Sequence, residues 1–190
     1  HLLSLIDDVL DISRIEAGKT ELYIEEESLD TLINNILFTC QSLVDKKHNT
    51  LTNNSPDISN IKITSDITKV RQILLNLISN ACKFTENGNI RLDISLDDEW
   101  INFEVTDTGI GISDEQLENI FHPFQQADSS TTRKFGSRGL GLAIRRHYCE
   151  MLNGALSVGN NDQQGSTFNL KITRTLTNKQ MTLTKPKKRN

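Results

Sequence analysis

Residues 66–111 read DITKVRQILLNLISNACKFTENGNIRLDISLDDEWINFEVTDTGIG, and this stretch decides the fold. Val70, Ile73, Leu74, Leu77, Ile78 and Ala81 recur at helical spacing, so a helix starting near Asp66 buries one stripe. Ile90–Leu96 and Trp100–Val105 then alternate apolar with polar residues, the mark of half-buried strands. Asn87–Gly88 is a strong hairpin-turn dipeptide, but the strands around it are unequal. The better hairpin joins 90–96 to 100–106 across Asp97–Glu99.

Upstream, residues 1–17 form an amphipathic pattern in which Leu2, Leu3, Leu5, Ile6, Val9, Leu10 and Ile12 make a wide apolar stripe, closed by Gly18. A stripe this wide on a short helix needs partners on more than one side, as a helical bundle, dimeric or not, supplies. Glu21–Ile24 reads as a short extended piece. Ser28 is an N-cap for a second helix carrying Leu29, Leu32, Ile33, Ile36, Leu37, Cys40 and Leu43. Residues 48–64, broken by Asn53, Asn54 and Pro56, look like short strands and a turn. Downstream, residues 107–138 hold few apolar side chains and many Gly, Ser and Thr, too long a run for an ordinary connector. A helix follows over 139–152, stopped at Asn153–Gly154, and strands at 155–159 and 166–173 flank a turn. This order indicates an α+β sandwich with helices on one face of a sheet.

The chain of 190 residues is long enough to bury a real core. No apolar run approaches the roughly 18 residues that span a bilayer. The chain begins inside a helical pattern, so it reads as a fragment of something longer, whose remainder has room for a membrane span. A net charge of −4 argues against nucleic acid as the main partner. From Arg174 onward every charged side chain is basic, and no aromatic accompanies them for stacking on bases, so this end reads as a solvated linker or tail. Cys40, Cys82 and Cys149 stand far apart with no CxxC pair, which favours small buried hydrophobes over a disulfide or zinc site and fits a reducing cytoplasm.

Three groups of residues carry chemistry. Asn76 and Asn80 project from one side of a helix, with Lys83 three residues on. An amide oxygen is a hard neutral ligand for Mg²⁺, although two asparagines taken alone more often make the polar edge of a surface helix. Asp107-Thr-Gly109-Ile-Gly111 follows a strand directly. A carboxylate there can accept a purine amino group, with glycines letting the backbone approach a flat ring; a tight Asp–Gly turn is the plainer alternative. Gly136-Ser-Arg138-Gly139-Leu140-Gly141 opens a helix. Glycine-rich backbone at a helix start presents free N–H groups and the positive dipole end to phosphate, and Arg133, Lys134 and Arg138 add charge.

Together, in this order, these stretches resemble the boxes of sensor histidine kinases. Asn76-Leu-Ile-Ser-Asn80-Ala-Cys-Lys83-Phe-Thr85 resembles the N box, Asp107-Thr-Gly109-Ile-Gly111-Ile the G1 box and Phe121-His-Pro-Phe124 the F box. Gly139-Leu140-Gly141-Leu142-Ala-Ile resembles the G2 box and Gly165-Ser-Thr167-Phe the closing strand motif. SLIDDVLDISRIEAGK, over 4–19, is similar to the second helix of the dimerisation and phosphotransfer domain.

The resemblance implies a Bergerat-type ATP-binding fold: a two-layer sandwich with a mixed, mostly antiparallel sheet, preceded by a bundle helix. It implies boundaries of 1–19 for the bundle helix, 20–173 for the catalytic domain and 174–190 for a basic tail. Mg²⁺ and ATP are the expected ligands. Asn80 is then the Mg²⁺ ligand, and Asn76 and Lys83 support the phosphates. Asp107 holds the adenine amino group, assisted by Thr167, with Gly109 and Gly111 lining the pocket. Phe121 and Phe124 anchor a lid over 125–138. Gly136, Gly139, Leu140, Gly141 and Leu142 meet the triphosphate.

The implied reaction moves the γ-phosphoryl group to a histidine of the protein's own or a partner's phosphotransfer (dimerisation) domain, and onward to a response regulator or receiver domain. A homodimer in a cytoplasmic region, anchored at the membrane through the rest of the protein, is the expected setting. The His-Glu-Leu-Arg-like acceptor box is absent; His1, His48, His122 and His147 lack that context. Ser137 and Arg138 stand where the family's loop reads Gly-Thr, which implies altered lid dynamics with ATP binding retained. The same fold serves DNA gyrase, Hsp90 chaperones and mismatch-repair proteins, which carry a water-activating Glu at the position of Asn76. An amide cannot act as that base, so fast hydrolysis is not expected. The alternative reading is a degenerate nucleotide-binding or dimerisation module that regulates a partner kinase.

Overall fold

The computed structural model describes residues 2–18, 20–122, 140–162 and 164–177. In chain order the elements are α1 (Leu2–Glu16), β1 (Glu25–Ser28), α2 (Leu29–Lys46), β2 (Thr50–Asn54), β3 (Lys62–Ser65) and α3 (Ile67–Phe84). They continue as β4 (Asn89–Leu96), β5 (Trp100–Asp107), α4 (Asp114–Asn119), α5 (Gly141–Met151), β6 (Ala155–Asn160) and β7 (Ser166–Thr173).

A five-stranded sheet runs in the order β2-β4-β5-β7-β6. The β2–β4 pair is parallel and the other three pairs are antiparallel, giving the mixed, mostly antiparallel sheet. The expected hairpin of 90–96 with 100–106 is present, with Leu92 opposite Val105 and Ile94 opposite Phe103. Ile101, Phe103 and Val105 of β5 and Phe168, Leu170 and Ile172 of β7 point to the buried face. There they meet the apolar stripes of α2, α3 and α5, so these three helices cover one side of the sheet. The opposite face, with Asn102, Glu104, Thr106, Thr167 and Asn169, stays half-exposed. This is the α+β two-layer sandwich that the element order indicated.

The helix boundaries follow local chemistry. Ser28 caps α2 by accepting from Thr31 N, and Asp66 caps α3 by accepting from Lys69 N at 3.0 Å. Cys40, Cys82 and Cys149 are buried as small hydrophobes, and burial pushes their thiols up to about 11, 11 and 12.

Several local expectations differ from the structure. The extended piece is a strand at Glu25–Ser28, not at 21–24. Its acidic run is held by β3, through antiparallel pairing and a Glu26–Lys62 ion pair at 2.7 Å, and by Arg71 of α3 beside Glu27 at 3.3 Å. Asn87, with φ +52°, turns the chain from α3 into β4 rather than closing a hairpin. The long polar stretch after β5 contains α4, whose Ser113 and Gln116 form a reciprocal capping box. Residues 174–177 do not lead straight into solvent. Thr64 N donates to Arg174 O and Leu176 N donates to Thr64 O, laying this segment along β3, and Leu176 is 2% exposed. An apolar leucine amid basic residues supplies the burial that charge counting overlooked.

Helix α1 sits against α5, with Ile12 and Ile15 packed on the core and Ile6, Val9 and Leu10 about half-exposed. No helix among the described residues is long and apolar enough to cross a membrane.

Candidate nucleotide site

The last residue of β5 is Asp107, whose side chain continues the buried face begun by Phe103 and Val105. A carboxylate at 3% exposure needs donors, and the chain supplies them. Oδ1 accepts from Gly109 N at 2.8 Å and Ser166 N at 3.3 Å, and Oδ2 accepts from the Ser166 hydroxyl at 2.5 Å. Thr85 Oγ1, just past α3, lies 3.5 Å from Oδ1. These donors fix the orientation of the carboxylate and leave Oδ2 with lone-pair capacity for one further donor, such as an exocyclic amino group.

The sequence placed Thr167 beside Asp107. In the structure Thr167 Oγ1 instead lies 3.2 Å from Thr106 Oγ1, on the open face of the sheet, and Ser166 makes the contact. Strand alternation explains the difference: Thr167 pairs with Thr106, so the neighbouring Ser166 shares the face of Asp107. The motif pointed to the right strand, but only the β5–β7 register distinguishes its two hydroxyls.

Gly109 and Gly111 shape the loop after Asp107. A Cβ on Gly109 would stand 2.4 Å from Phe84 O, so the end of α3 already excludes a side chain there, whatever ring binds nearby. Gly111 has φ +69°, a left-handed conformation that favours glycine. Ile110 between them is 74% exposed.

Asn76, Asn80 and Lys83 lie half-buried along the edge of α3, beside its apolar stripe. Asn80 Nδ2 donates to Asn76 Oδ1 at 3.3 Å. A carboxamide that uses its NH₂ this way keeps its oxygen, a hard neutral ligand, for a cation. Burial pulls the Lys83 ammonium below its ordinary pKa. Leu140 is buried, Leu142 packs on the core, and Gly141 begins α5 directly against Asn76. A Cβ on Gly141 would come within 3.1 Å of Asn76 Nδ2. The amide edge of α3 and the N-terminus of α5 thus meet, while Asp107 joins the far end of α3 through Thr85. Phe121 lies under the Arg146 guanidinium, 5.1 Å away, and so is tied to α5. Phe124, Arg133, Lys134, Gly136, Ser137, Arg138 and Gly139 lie outside the described residues.

The residues present fit a magnesium nucleotide. They supply a fixed buried carboxylate at one end, neutral amide oxygens in the middle and a helix N-terminus beside them.

Comparison with known proteins gives the family. The family described as "Histidine kinase-, DNA gyrase B-, and HSP90-like ATPase" matches residues 65–176. The Autoinducer 2 sensor kinase/phosphatase LuxQ of Vibrio cholerae is 39% identical over 176 residues, covering 90% of this chain and 20% of that protein. The full-length ShkA structure in complex with AMPPNP superposes with a TM-score of 0.79 at 32% identity, over 93% of this chain and 36% of that one. Histidine kinase ThkA in complex with the response regulator protein TrrA gives 0.70 at 25% identity, over 92% and 49%. The chain spans less than a quarter of the length of the curated relatives it matches. With its mixed sheet, its capped asparagine helix and its buried Asp107, the chain belongs to the histidine kinase-, DNA gyrase B- and HSP90-like ATPase family, as an ATP-binding catalytic domain of the histidine-kinase type.

Proposed function

We propose that this domain binds Mg²⁺·ATP and supplies the γ-phosphoryl group to a histidine on a phosphotransfer domain. The observation that supports the reading is Asp107, a buried carboxylate oriented by Ser166 and Gly109 N; its remaining lone pair would accept the adenine amino group. Asn80 would hold Mg²⁺, with Asn76 and Lys83 supporting the phosphates and Gly141 at the α5 N-terminus beside them. A bound Mg²⁺ neutralises phosphate charge. In the transfer, the bond between the γ-phosphorus and its bridging oxygen breaks, a phosphorus–nitrogen bond forms on the histidine, and ADP leaves.

The amide at Asn76 supports transfer to a protein rather than to water, since a carboxamide cannot activate a water as a general base. The acceptor histidine would belong to the protein's own or a partner's bundle domain, and the phosphoryl group would pass to a response regulator or receiver domain. The exposed Ile6, Val9 and Leu10 of α1 favour a homodimer through that bundle in the whole protein, whose other segments would anchor it at a membrane.

Titration with a fluorescent ATP analogue, with and without Mg²⁺, tests the reading. The parent should bind the analogue, more tightly with Mg²⁺. Asn80→Ala should lose the Mg²⁺ dependence, and Asp107→Asn should weaken binding by about tenfold or more, because one charge-assisted acceptor is worth roughly 1.5–3 kcal/mol. An Asn80→Ala protein that responds to Mg²⁺ like the parent sinks the metal assignment.

A further inference from the structure

We propose that Asn160, the last residue of β6, and Asn161, which opens the turn into β7, are positioning residues that clamp the Asp107–Ile112 loop and thereby set nucleotide affinity. The inference rests on the ATP-binding reading above. Asn160 engages Ile112 as a strand would: Ile112 N donates to its Oδ1 at 2.8 Å, and its Nδ2 donates to Ile112 O at 2.6 Å. Asn161 holds the other end of the loop. Its Nδ2 donates to Asp107 O at 2.9 Å and to Ser166 O at 3.3 Å, while Gly165 N donates to its Oδ1 at 3.1 Å. Both ends of the loop are therefore tied to one turn, which also leads directly into Ser166, the residue that orients the Asp107 carboxylate.

The backbone contact is close enough to be selective. A Cβ on Gly165 would stand 1.9 Å from Asp107 O, and one on Gly111 would stand 2.4 Å from Gln164 O. Between the two ties, the loop has a left-handed glycine and an exposed isoleucine, with Ile110 N on Phe84 O as a further tether at 3.3 Å. Such a segment has much freedom to lose when a ligand binds, and a clamp removes that freedom in advance. Asn160 is exposed and Asn161 half-buried, so neither serves the core. The Asn160 carboxamide bonds Ile112 through both of its polar atoms, and that of Asn161 joins Asp107 O to the start of β7.

The test compares the parent with Asn160→Ala and Asn161→Ala. ATP affinity is measured by titration with Mg²⁺, and backbone amide exchange is followed in the nucleotide-free proteins. Each substitution should raise the Kd about tenfold, equivalent to about 1.4 kcal/mol. Exchange of the Ile112 amide should speed up in Asn160→Ala and of the Gly165 amide in Asn161→Ala, while the Leu74 and Leu77 amides inside α3 keep the parent rate. Should Asn161→Ala fail to fold, the exposed Asn160 variant carries the test. A parent Kd in the variants overturns the inference, and so does a raised Kd with unchanged Ile112 and Gly165 exchange, which marks general destabilisation. A parent that binds no ATP overturns the ATP reading and the inference with it; a parent that binds beside variants that bind equally well overturns the inference alone.

Discussion

Asp107 and its partners show how much of the site rests on single atoms. The carboxylate was legible in the sequence because Asp-Thr-Gly-Ile-Gly follows an alternating strand. Its principal partner was not, because Ser166 lies 59 residues away and differs from Thr167 only in which face of β7 it occupies. His147 carries a prediction at this scale. Burial depresses its pKa below 6.5, with Glu150 opposing, so the fold favours the neutral ring. A group depressed in this way contributes stability that is present above its unfolded value and is lost as pH falls through the folded one. Urea midpoints should therefore decline as pH drops below 6.5, and His147→Gln should flatten that decline. An identical pH profile in the variant would remove His147 as the cause.

Helix α3 is the element that joins the site to the rest of the chain. Its apolar stripe and its asparagine edge both followed from spacing, since 3.6 residues per turn separates them without reference to other elements. The attachments at its start did not. Asp66, 2% exposed, accepts from Lys69 N as the helix cap and also from Tyr23 N at 3.0 Å, on the segment that follows α1. Lys69 Nζ lies 3.3 Å from the same carboxylate. Asp66→Ala should cost about 1–2 kcal/mol in urea denaturation, a typical value for a lost cap. Asp66→Asn, which keeps an acceptor for Lys69 N, should recover most of it. Equal losses in the two variants would show that the charge, not the cap, matters. The turn between β6 and β7 is the contrasting case, because nothing in Asn160-Asn161 as a local sequence reveals that its amides close on a loop 48 and 54 residues away.

In the whole molecule, the segment after β7 packs with the rest of the folded unit through β3. Leu176 is buried and bonded to β3, so Leu176→Ala should destabilise the domain by about 2–5 kcal/mol, the usual range for such a truncation in a core. Chemical denaturation measures this, and a change below about 0.5 kcal/mol would place Leu176 with ordinary surface positions. The sequence by itself determined what is periodic or local: the stripes of α2 and α3, the β4–β5 hairpin, the N-cap at Ser28, and the boxes around Asn76, Asp107 and Gly141. Only the tertiary structure decided what depends on register between distant strands. It placed Ser166 rather than Thr167 on Asp107, set Asn160 and Asn161 on the glycine loop, and laid Leu176 along β3. The physical reason is that helix and strand periods are fixed by neighbouring residues, whereas the long-range pairings behind these contacts are fixed by how buried faces distant in sequence pack together.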